Sequence, residues 1–582
     1  MTDTKNTAGA GGGDGGEALV SAFNAVGADY VFCSSGSEWA PVWESLARRH
    51  RDGEPAPEYL DLTHETVAVG MATGYGLIAR RPQAVLLHAA PGLLQGSMAI
   101  HGALLAGVPM VVASSESTTY GDGPGQDPGG QWYRNLSVVG GPHGIARPFT
   151  KWSNEAAGVH TLPAMVARAA ELAWRAPTGP VYLNIPLEIL LEEWDGREAK
   201  PVVPPGSTHS SPEEVDAVAR LIREARDPVI VTETAGREAG GFEALVAFAE
   251  AWNLPVVEPD SAVCGNFPRT HPLHAGSDIG PWMDEADLIL LVNCRAPFYP
   301  PSRRPSKARI VVIDEVPQRP HVAYQVLFAD RYLEGNVANT LRQLAKRAGT
   351  AASESAAVAA ATARRVAHEE RHADEQAAIA AAEARAAQVN TAQAEGVDPV
   401  HVAATLRRLL DGQDAIVVDE TITHSRVVKR HARTADPDSY FYVQGGLGQG
   451  IAVALGVKLA ARERPVVLTI GDGAFTYNPV IPSYDAANAY GLPLLIVVFN
   501  NRVYKSMNLN HRRFYPEGAA ADTGEWLGTD LRRLPRLARF AEPFGMHTET
   551  VDAPDALAPA LERALKAVAE GITAVVDVLL TR

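Results

Sequence analysis

The amino-acid sequence predicts an α/β protein built from three consecutive doubly wound parallel-sheet domains, of which the first and third are related. Short runs of apolar residues alternate with helical stretches along most of the 582 residues. Two linker-like segments divide this alternation into three bodies, and two local patterns of the first body recur in the third. Strands that are apolar throughout are buried on both faces, which is typical of parallel sheets covered by helices.

A chain of this length is too long for a single hydrophobic core, so two to four domains are expected. One candidate linker, residues 200–212, is crowded with proline and serine, which disfavour helix and sheet alike. The other is rich in alanine, and we expect it to form a solvated connecting helix. The predicted divisions are a disordered tail at 1–16, an N-terminal domain at 17–195, a linker at 196–212, a central α/β domain at 213–345, a helical linker at 346–397 and a C-terminal domain at 398–582.

Composition limits the kinds of partner. Hydrophobic residues make up 46% of the chain and charged residues 21%, and the net charge of −16 disfavours nucleic acid as the main partner. The three cysteines are widely spaced, which supports neither a disulfide framework nor a zinc site. The first residues lack the apolar core of a signal peptide, and the longest apolar runs are far shorter than a membrane span. We therefore expect a soluble, cytoplasmic protein that binds neither membranes nor nucleic acid.

Eleven apolar runs are candidate strands, distributed over all three bodies. They are Asp29–Cys33, Ala84–His88, Met110–Ala113, Val181–Ile185, Pro228–Thr232, Leu288–Asn293, Arg309–Ile313, Ala415–Asp419, Val466–Ile470, Leu494–Phe499 and Ala574–Leu580.

The first and third bodies share two local patterns. A helix end, a basic turn, a strand and a glycine turn follow one another in residues 76–93 and again in 456–474. Further along, a Gly-x-Pro triplet opens a strand at Gly107 and again at Gly491. Two similarities in the same order predict duplicated domains, whose matching strand ends can hold a ligand between them.

A cassette of polar residues follows two strands of the third body. Val466–Ile470 runs directly into Gly471-Asp472-Gly473, and Leu494–Phe499 runs into Asn500-Asn501. Glycines at a strand end let the backbone approach a phosphate closely, and the next helix offers free N–H groups. Because the carboxyl ends of parallel strands share one edge, Asp472 and Asn501 are expected to converge. A carboxylate, an amide oxygen and a backbone carbonyl suit Mg²⁺, with diphosphate oxygens and water completing the octahedron.

The Gly-Asp-Gly triplet, 26 intervening residues and the Asn-Asn pair resemble the fingerprint of thiamine diphosphate enzymes, the superfamily of pyruvate decarboxylase, acetolactate synthase and benzoylformate decarboxylase. This resemblance implies thiamine diphosphate and Mg²⁺ as cofactors. It implies that Asp472, the Asn501 side chain and the Val503 carbonyl bind the metal. The residues it implies around the cofactor are Gly471, Gly473, Ala474, Phe475, Ile422, Thr423, Asn501, Val503 and Tyr504.

Two further segments resemble cofactor-handling parts of the same family. Thr63-His64-Glu65-Thr66 is similar to the segment whose glutamate activates the cofactor, so the resemblance implies this role for Glu65. Gly445-Gly446-Leu447-Gly448 resembles the loop whose apolar side chain holds the cofactor in a bent shape, which implies Leu447 as that wedge. The simpler alternatives are a helix-dipole carboxylate for Glu65 and an ordinary core leucine for Leu447.

The substrate side resembles benzoylformate decarboxylase in its first domain. Ser37 and His88 each follow a predicted strand and match the serine and histidine that this enzyme places over the thiazolium ring. Ser37 would bind a substrate carboxylate, and His88 would shuttle protons, unless it is a hydrogen-bonded structural histidine. Glu116 stands where the relatives carry glutamine. It would repel a second 2-oxo acid, act as a protonated general acid, or point away from the site.

The resemblance implies non-oxidative decarboxylation of a 2-oxo acid through an enamine, similar to benzoylformate decarboxylase. No His-His pair occurs, so the pyruvate decarboxylase arrangement is absent. The alternatives are an acetolactate synthase-like carboligase using an aldehyde or a second 2-oxo acid, a C–C bond lyase, and a catalytically silent cofactor-binding protein. The family also implies a homodimer or homotetramer with its active sites between subunits. The central body lacks a G-x-G-x-x-G motif, so we expect no further cofactor there.

Overall fold

The structure is a computed structural model that describes residues 13–119, 134, 136–138, 140–197, 199–322, 325–348, 355–388, 396–431 and 436–581. The chain divides into two compact units. The first contains the chain up to Pro205 together with residues 444–462 and 477–490. The second contains residues 206–443, 463–476 and the chain from Gly491 onwards.

The described strands, in chain order, are β1 Tyr30–Ser34, β2 Glu58–Leu62, β3 Gln83–Leu87, β4 Met110–Ser114, β5 Ser153–Glu155, β6 Pro180–Asn184, β7 Pro228–Thr232, β8 Val256–Val257, β9 Leu288–Val292, β10 Arg309–Asp314, β11 Arg331–Glu334, β12 Ile416–Glu420, β13 Tyr440–Tyr442, β14 Val466–Gly471, β15 Leu495–Asn500, β16 His547–Val551 and β17 Ala574–Leu579.

These strands form three parallel sheets, as the apolar runs predict. The first sheet has the order β2-β1-β3-β4-β6-β5 and the third has β13-β12-β14-β15-β17-β16. Numbered from its own first strand, each reads 2-1-3-4-6-5, which confirms that the first and third domains are related. The central sheet, β8-β7-β9-β10-β11, reads 2-1-3-4-5, a common doubly wound order.

The described helices are α1 Gly15–Val26, α2 Ala40–Asp52, α3 Glu65–Ala79, α4 Ala89–Ala106, α5 Pro142–Ala146, α6 Leu162–Trp174, α7 Leu187–Leu190, α8 Pro212–Glu224, α9 Gly241–Trp252, α10 Gly280–Glu285, α11 Val337–Ala348, α12 Ser355–Gln388, α13 Pro399–Leu410, α14 Ser425–His431, α15 Gly450–Ala460, α16 Asp472–Tyr477, α17 Val480–Ala489, α18 Lys505–Phe514, α19 Ala519–Thr523 and α20 Pro554–Ala569.

The first sheet illustrates how the sequence builds its layers. The Asp14 side chain caps α1 by accepting a hydrogen bond from the Glu17 N–H at 3.0 Å, and Gly27 ends the helix in the left-handed region. The apolar face of α1 contributes Phe23 to a buried cluster that also contains Val166 of α6 and Val181 of β6. A helical layer therefore covers this face of the sheet.

The alanine-rich segment is helical, as expected, and forms the 34-residue helix α12. One side of it is anchored in the second unit. Its Ile379 is buried. Glu383 accepts a hydrogen bond from Arg407 at 2.7 Å and lies 2.7 Å from Nδ1 of His431. The helix is therefore solvated only in part.

Two further expectations concern the whole chain. All three cysteines are buried, and none is part of a disulfide. Among the helices that the structure describes, none has the length and apolarity needed to cross a bilayer.

Candidate active site

The two halves of the polar cassette lie side by side in the second unit. Strands β14 and β15 pair in parallel with Gly471 opposite Phe499, so Asp472 and Asn501 follow neighbouring strand ends. The buried carboxylate of Asp472 accepts a hydrogen bond from the Arg502 N–H at 2.6 Å. The convergence expected from the sequence is therefore present within one sheet.

The two asparagines of the pair have different tasks. Asn500 donates from Nδ2 to the buried carboxylate of Asp577 at 2.8 Å, and its Oδ1 accepts from the Arg502 N–H at 3.2 Å. Asn501 accepts from the Val503 N–H at 2.9 Å. Asn500 thus anchors the turn after β15, a role that the motif alone does not reveal. Asn501 is partly exposed at the carboxyl end of the strand.

The donor set fits a hard divalent cation. Asp472, Asn501 and the backbone of Val503 offer only oxygens, which Mg²⁺ prefers, and Mg²⁺ keeps water and phosphate ligands beside a few protein oxygens. Among the described residues, no backbone or side-chain group donates to the Val503 carbonyl. Burial raises the pKa of Asp472 to about 6, although the N–H groups of Gly473 and Arg502 oppose the rise. The described residues hold no cluster of three or more His, Cys, Asp or Glu side chains suited to a metal.

The predicted diphosphate residues lie around the same strand ends. Ile422 has a φ of +53°, and the turn that holds it is fixed by the buried Asp419, which accepts from the N–H and the hydroxyl of Thr421 at 3.0 and 2.7 Å. The Tyr504 ring packs against Gly473, where a Cβ would come within 2.8 Å of the ring carbon Cδ1. The remaining cofactor candidates of this unit, at the sheet edge, are Thr423, Gly471, Ala474 and Phe475.

His424 is a neighbour of this cassette that the sequence patterns did not single out. It is buried, and its Nε2 lies 3.4 Å from Nδ2 of Asn501. Burial lowers the pKa of His424 to about 4, with the Lys505 charge adding to the effect. The ring is therefore neutral and accepts a hydrogen bond from the Asn501 amide, which turns the amide oxygen away from it. In the sequence, only its position directly after Thr423 indicates that His424 lies near the predicted diphosphate residues.

Leu447 is presented by a loop that only glycines can form. Gly445, Gly446 and Gly448 have φ values of +94°, +131° and +100°. A Cβ at Gly448 would lie 2.6 Å from the Tyr477 carbonyl oxygen. Leu447, which is half-buried, is therefore the only residue of this tight four-residue loop that has a side chain.

Glu65 begins helix α3 in the first unit. The preceding His64 caps the helix, because its Nδ1 accepts from the Thr66 N–H at 3.1 Å. The Glu65 side chain lies along α4, where a Cβ at Gly92 would be 3.2 Å from its Oε1 and one at Gly96 would be 3.5 Å from its Cβ. The half-buried carboxylate has no hydrogen-bond partner within the described part of the chain. It remains available to a ligand.

A close helix crossing holds the Glu65 and Leu447 segments in the first unit. Helix α3 starts at Glu65, and α15 starts three residues after Leu447. A Cβ at Gly70 would lie 2.6 Å from the Ala452 Cβ, and Gly74 packs directly on the Val453 carbonyl. The glycines let the two backbones touch, so both segments are fixed by one contact.

Ser37 and His88 lie at the same edge of the first sheet, because β1 and β3 are neighbours. The Ser37 side chain is exposed. His88 is partly exposed, and its Nδ1 lies 2.8 Å from Oε1 of the fully buried Glu38. This hydrogen bond raises the pKa of His88; partial burial opposes the rise, and the negative charges of Glu38 and Glu65 support it.

Glu116 follows β4, the next strand along this edge. It is buried, and its Oε1 accepts from the Val138 N–H at 3.1 Å. Its Oε2 is buried without a hydrogen-bond partner among the described residues. Burial raises the pKa of Glu116. A buried carboxyl with one unsatisfied oxygen favours the protonated form, but the choice among the three predicted roles stays open.

Models of all three domains of thiamine pyrophosphate enzymes match the chain. The N-terminal TPP binding domain matches residues 13–135, the central domain 215–344 and the C-terminal TPP binding domain 421–578. Together these matches span well over half of the chain.

Individual relatives carry different activities in their names. The chain is 28% identical to a benzoylformate decarboxylase of Pseudomonas aeruginosa, over 82% of this chain and 84% of that protein. It is 26% identical to an acetolactate synthase large subunit of Mycobacterium tuberculosis, over 97% of this chain and 95% of that protein. A solved thiamine diphosphate-dependent 4-hydroxybenzoylformate decarboxylase from Rhodococcus jostii has the same fold, with a TM-score of 0.76 and 23% identity over 98% of this chain and 99% of that chain. The chain belongs to the family of thiamine pyrophosphate enzymes.

Proposed function

We propose that this enzyme decarboxylates a 2-oxo acid without oxidation, using thiamine diphosphate and Mg²⁺, and releases CO₂ and an aldehyde. The observation that carries the proposal is His88, an imidazole that a buried carboxylate holds at the sheet edge beside Ser37. Release of an aldehyde needs a proton donor at the carbon that lost CO₂, and a histidine with a raised pKa is such a donor.

Each residue of the site has a separate role in the proposed reaction. Thiamine diphosphate, when bound, would supply a carbon nucleophile for the 2-oxo group and a place for the electron pair of the broken C–C bond. Asp472, Asn501 and Val503 would hold the cation, and Glu65 would hydrogen-bond the cofactor's pyrimidine. Ser37 binds the substrate carboxylate. His88 supplies the proton that replaces CO₂ on the substrate carbon, so that one C–C bond is exchanged for one C–H bond.

A carboligase or a C–C bond lyase is the alternative, and the acetolactate synthases among the relatives favour it. In that reaction a second carbonyl, rather than a proton, takes the electron pair. Glu116 bears on the choice. If its carboxyl is ionised it disfavours a second anionic 2-oxo acid, and if it is protonated it can serve an aldehyde acceptor as a general acid.

Product analysis tests the proposal. The purified enzyme with thiamine diphosphate and Mg²⁺ is incubated with a panel of aromatic and aliphatic 2-oxo acids, with and without an acceptor aldehyde. We expect CO₂ and the corresponding aldehyde in equal amounts without acceptor. Hydroxyketones as the main products, or CO₂ release only when an acceptor is present, would replace the decarboxylase with a carboligase.

The oligomeric state of the enzyme is part of the same proposal. We infer a homodimer or homotetramer, because the family builds each site between two subunits. The mass in solution, measured by light scattering, should be two or four times the chain mass of 61.9 kDa. An active monomer would contradict this assembly.

A further inference from the structure

Glu38 is a fully buried carboxylate whose hydrogen bonds all lead to the start of α4. It lies in the turn Ser37–Trp39 after β1, and its side chain is 0% exposed. Oε1 lies 2.8 Å from Nδ1 of His88 and accepts from the Ala89 N–H at 2.8 Å. Oε2 lies 3.0 Å from the same Nδ1. A carboxylate so far from solvent costs free energy unless it is bonded in this way.

The turn around Glu38 is shaped to receive the imidazole. A Cβ at Gly36 would collide with Nδ1 of His88 and with both carboxylate oxygens of Glu38, so a side chain there would displace one of these groups. The buried Trp39 donates from Nε1 to the Leu87 carbonyl at 3.0 Å. This bond ties the turn to the end of β3, directly before His88. The spacing between Glu38 and His88 is therefore set by the fold rather than by flexible side chains.

We propose that Glu38 is a positioning residue that keeps Nδ1 of His88 protonated, so that proton exchange with the substrate passes through Nε2. The inference rests on the proposed function, in which His88 supplies the proton. An ionised carboxylate only accepts hydrogen bonds, so Nδ1 must be the donor, and this selects one tautomer of the neutral ring. After Nε2–H gives its proton to the substrate carbon, the nitrogen keeps the electron pair and is reprotonated from water.

The same contact sets the pH at which His88 is charged. Glu38 and Glu65 are among the charged groups that act on His88, and both raise its pKa. The imidazolium therefore persists to higher pH than in a free histidine. Replacing Glu38 by a neutral group lowers the pKa of His88, and the alkaline limb of kcat that depends on imidazolium moves to lower pH.

The test compares Glu38→Gln, His88→Ala and the double variant in the holoenzyme. We expect Glu38→Gln to reduce kcat roughly 10²-fold, with an alkaline limb at lower pH, and to add no further loss when His88 is already Ala. The pKa of His88, followed by NMR on ¹³Cε1-labelled histidine and assigned with His88→Ala, should fall in Glu38→Gln. The matched control is Glu44→Gln on α2, whose side chain is 66% exposed, and it should behave as wild type.

Three results would overturn the inference. They are an unchanged pKa of His88 in Glu38→Gln, an unchanged pH profile, and a double variant slower than His88→Ala by the full effect of Glu38→Gln. If Glu38→Gln does not fold, Glu38→Asp replaces it, since it keeps the charge but shortens the reach to Nδ1, and the same readouts apply. The NMR titration needs no turnover. A wild-type rate in His88→Ala together with a lowered pKa of His88 in Glu38→Gln would therefore reject the catalytic role of His88 and keep the contact.

Discussion

Glu65 is the residue on which the proposed chemistry depends most. Its carboxylate is half-buried at the start of α3, between a capping histidine and two glycines of α4, and the described residues offer it no hydrogen-bond partner. A glutamate whose only role is a favourable interaction with the helix dipole needs no burial and can be exposed at the start of a helix. The space made by Gly92 and Gly96 indicates instead a carboxylate kept for a ligand.

Glu65→Gln should keep the fold and lose most turnover, roughly 10²-fold or more in kcat, because the amide cannot take the role of the acid. The measurement is steady-state CO₂ release at saturating cofactor, with thermal unfolding as the check on folding. Glu213→Gln is the control, since Glu213 is an exposed first-turn glutamate of α8. A wild-type rate in Glu65→Gln would reject the proposed role.

Some residues of the site could not be found from the sequence. Asp472 and Asn501 were predicted because a motif with fixed spacing marks them. Glu38 is not marked by the sequence, because the resemblance points to its neighbour Ser37, and only the folded turn shows its bonds to His88. Asn500 and His424 act through contacts with Asp577 and Asn501, more than 70 positions away, which no local pattern encodes.

At the level of elements, the predicted strands were found and the missed strands have one property in common. Each of the eleven predicted runs overlaps an observed strand. The missed ones are the edge strands of the three sheets, namely β2, β5, β8, β11, β13 and β16. An edge strand is less covered than a central one, as the pattern of β11 shows with three exposed residues in four. The edge strands β2, β5, β11 and β16 are partly exposed and so lack the continuous apolar run that identifies a buried strand. The other two, β8 and β13, are mostly buried but only two and three residues long.

The crossing of α3 and α15 gives a prediction about stability. Gly74→Ala should destabilise the first unit by roughly 1–3 kcal/mol, because the new Cβ would collide with the backbone carbonyl of Val453, which cannot move aside cheaply. Chemical denaturation measures the change. Gly144→Ala is the control, as this exposed glycine of α5 has open space at its Cβ and should change little or gain slightly. Equal stability of the two variants would contradict the close crossing.

At the level of the whole molecule, the first and third sheets along the chain share the strand order 2-1-3-4-6-5, and the second sheet has the simpler order 2-1-3-4-5. The duplication was predictable because the glycine turns and Gly-x-Pro strand openings recur in the same order. The boundaries of the three domains stay predictions. The choice between proton and carbonyl as the acceptor of the electron pair also lies beyond the sequence, since it depends on His88 and Glu116 and on the substrate itself.

We propose that the enzyme needs thiamine diphosphate and Mg²⁺ together, with the metal held by Asp472, Asn501 and Val503. Reconstitution tests it most directly. The protein is dialysed against a chelator, and CO₂ release from a 2-oxo acid is measured after thiamine diphosphate, Mg²⁺ or both are returned. We predict no activity after dialysis, recovery only with both, and no recovery in Asp472→Ala. Full activity after dialysis, or recovery with neither cofactor, would contradict the account.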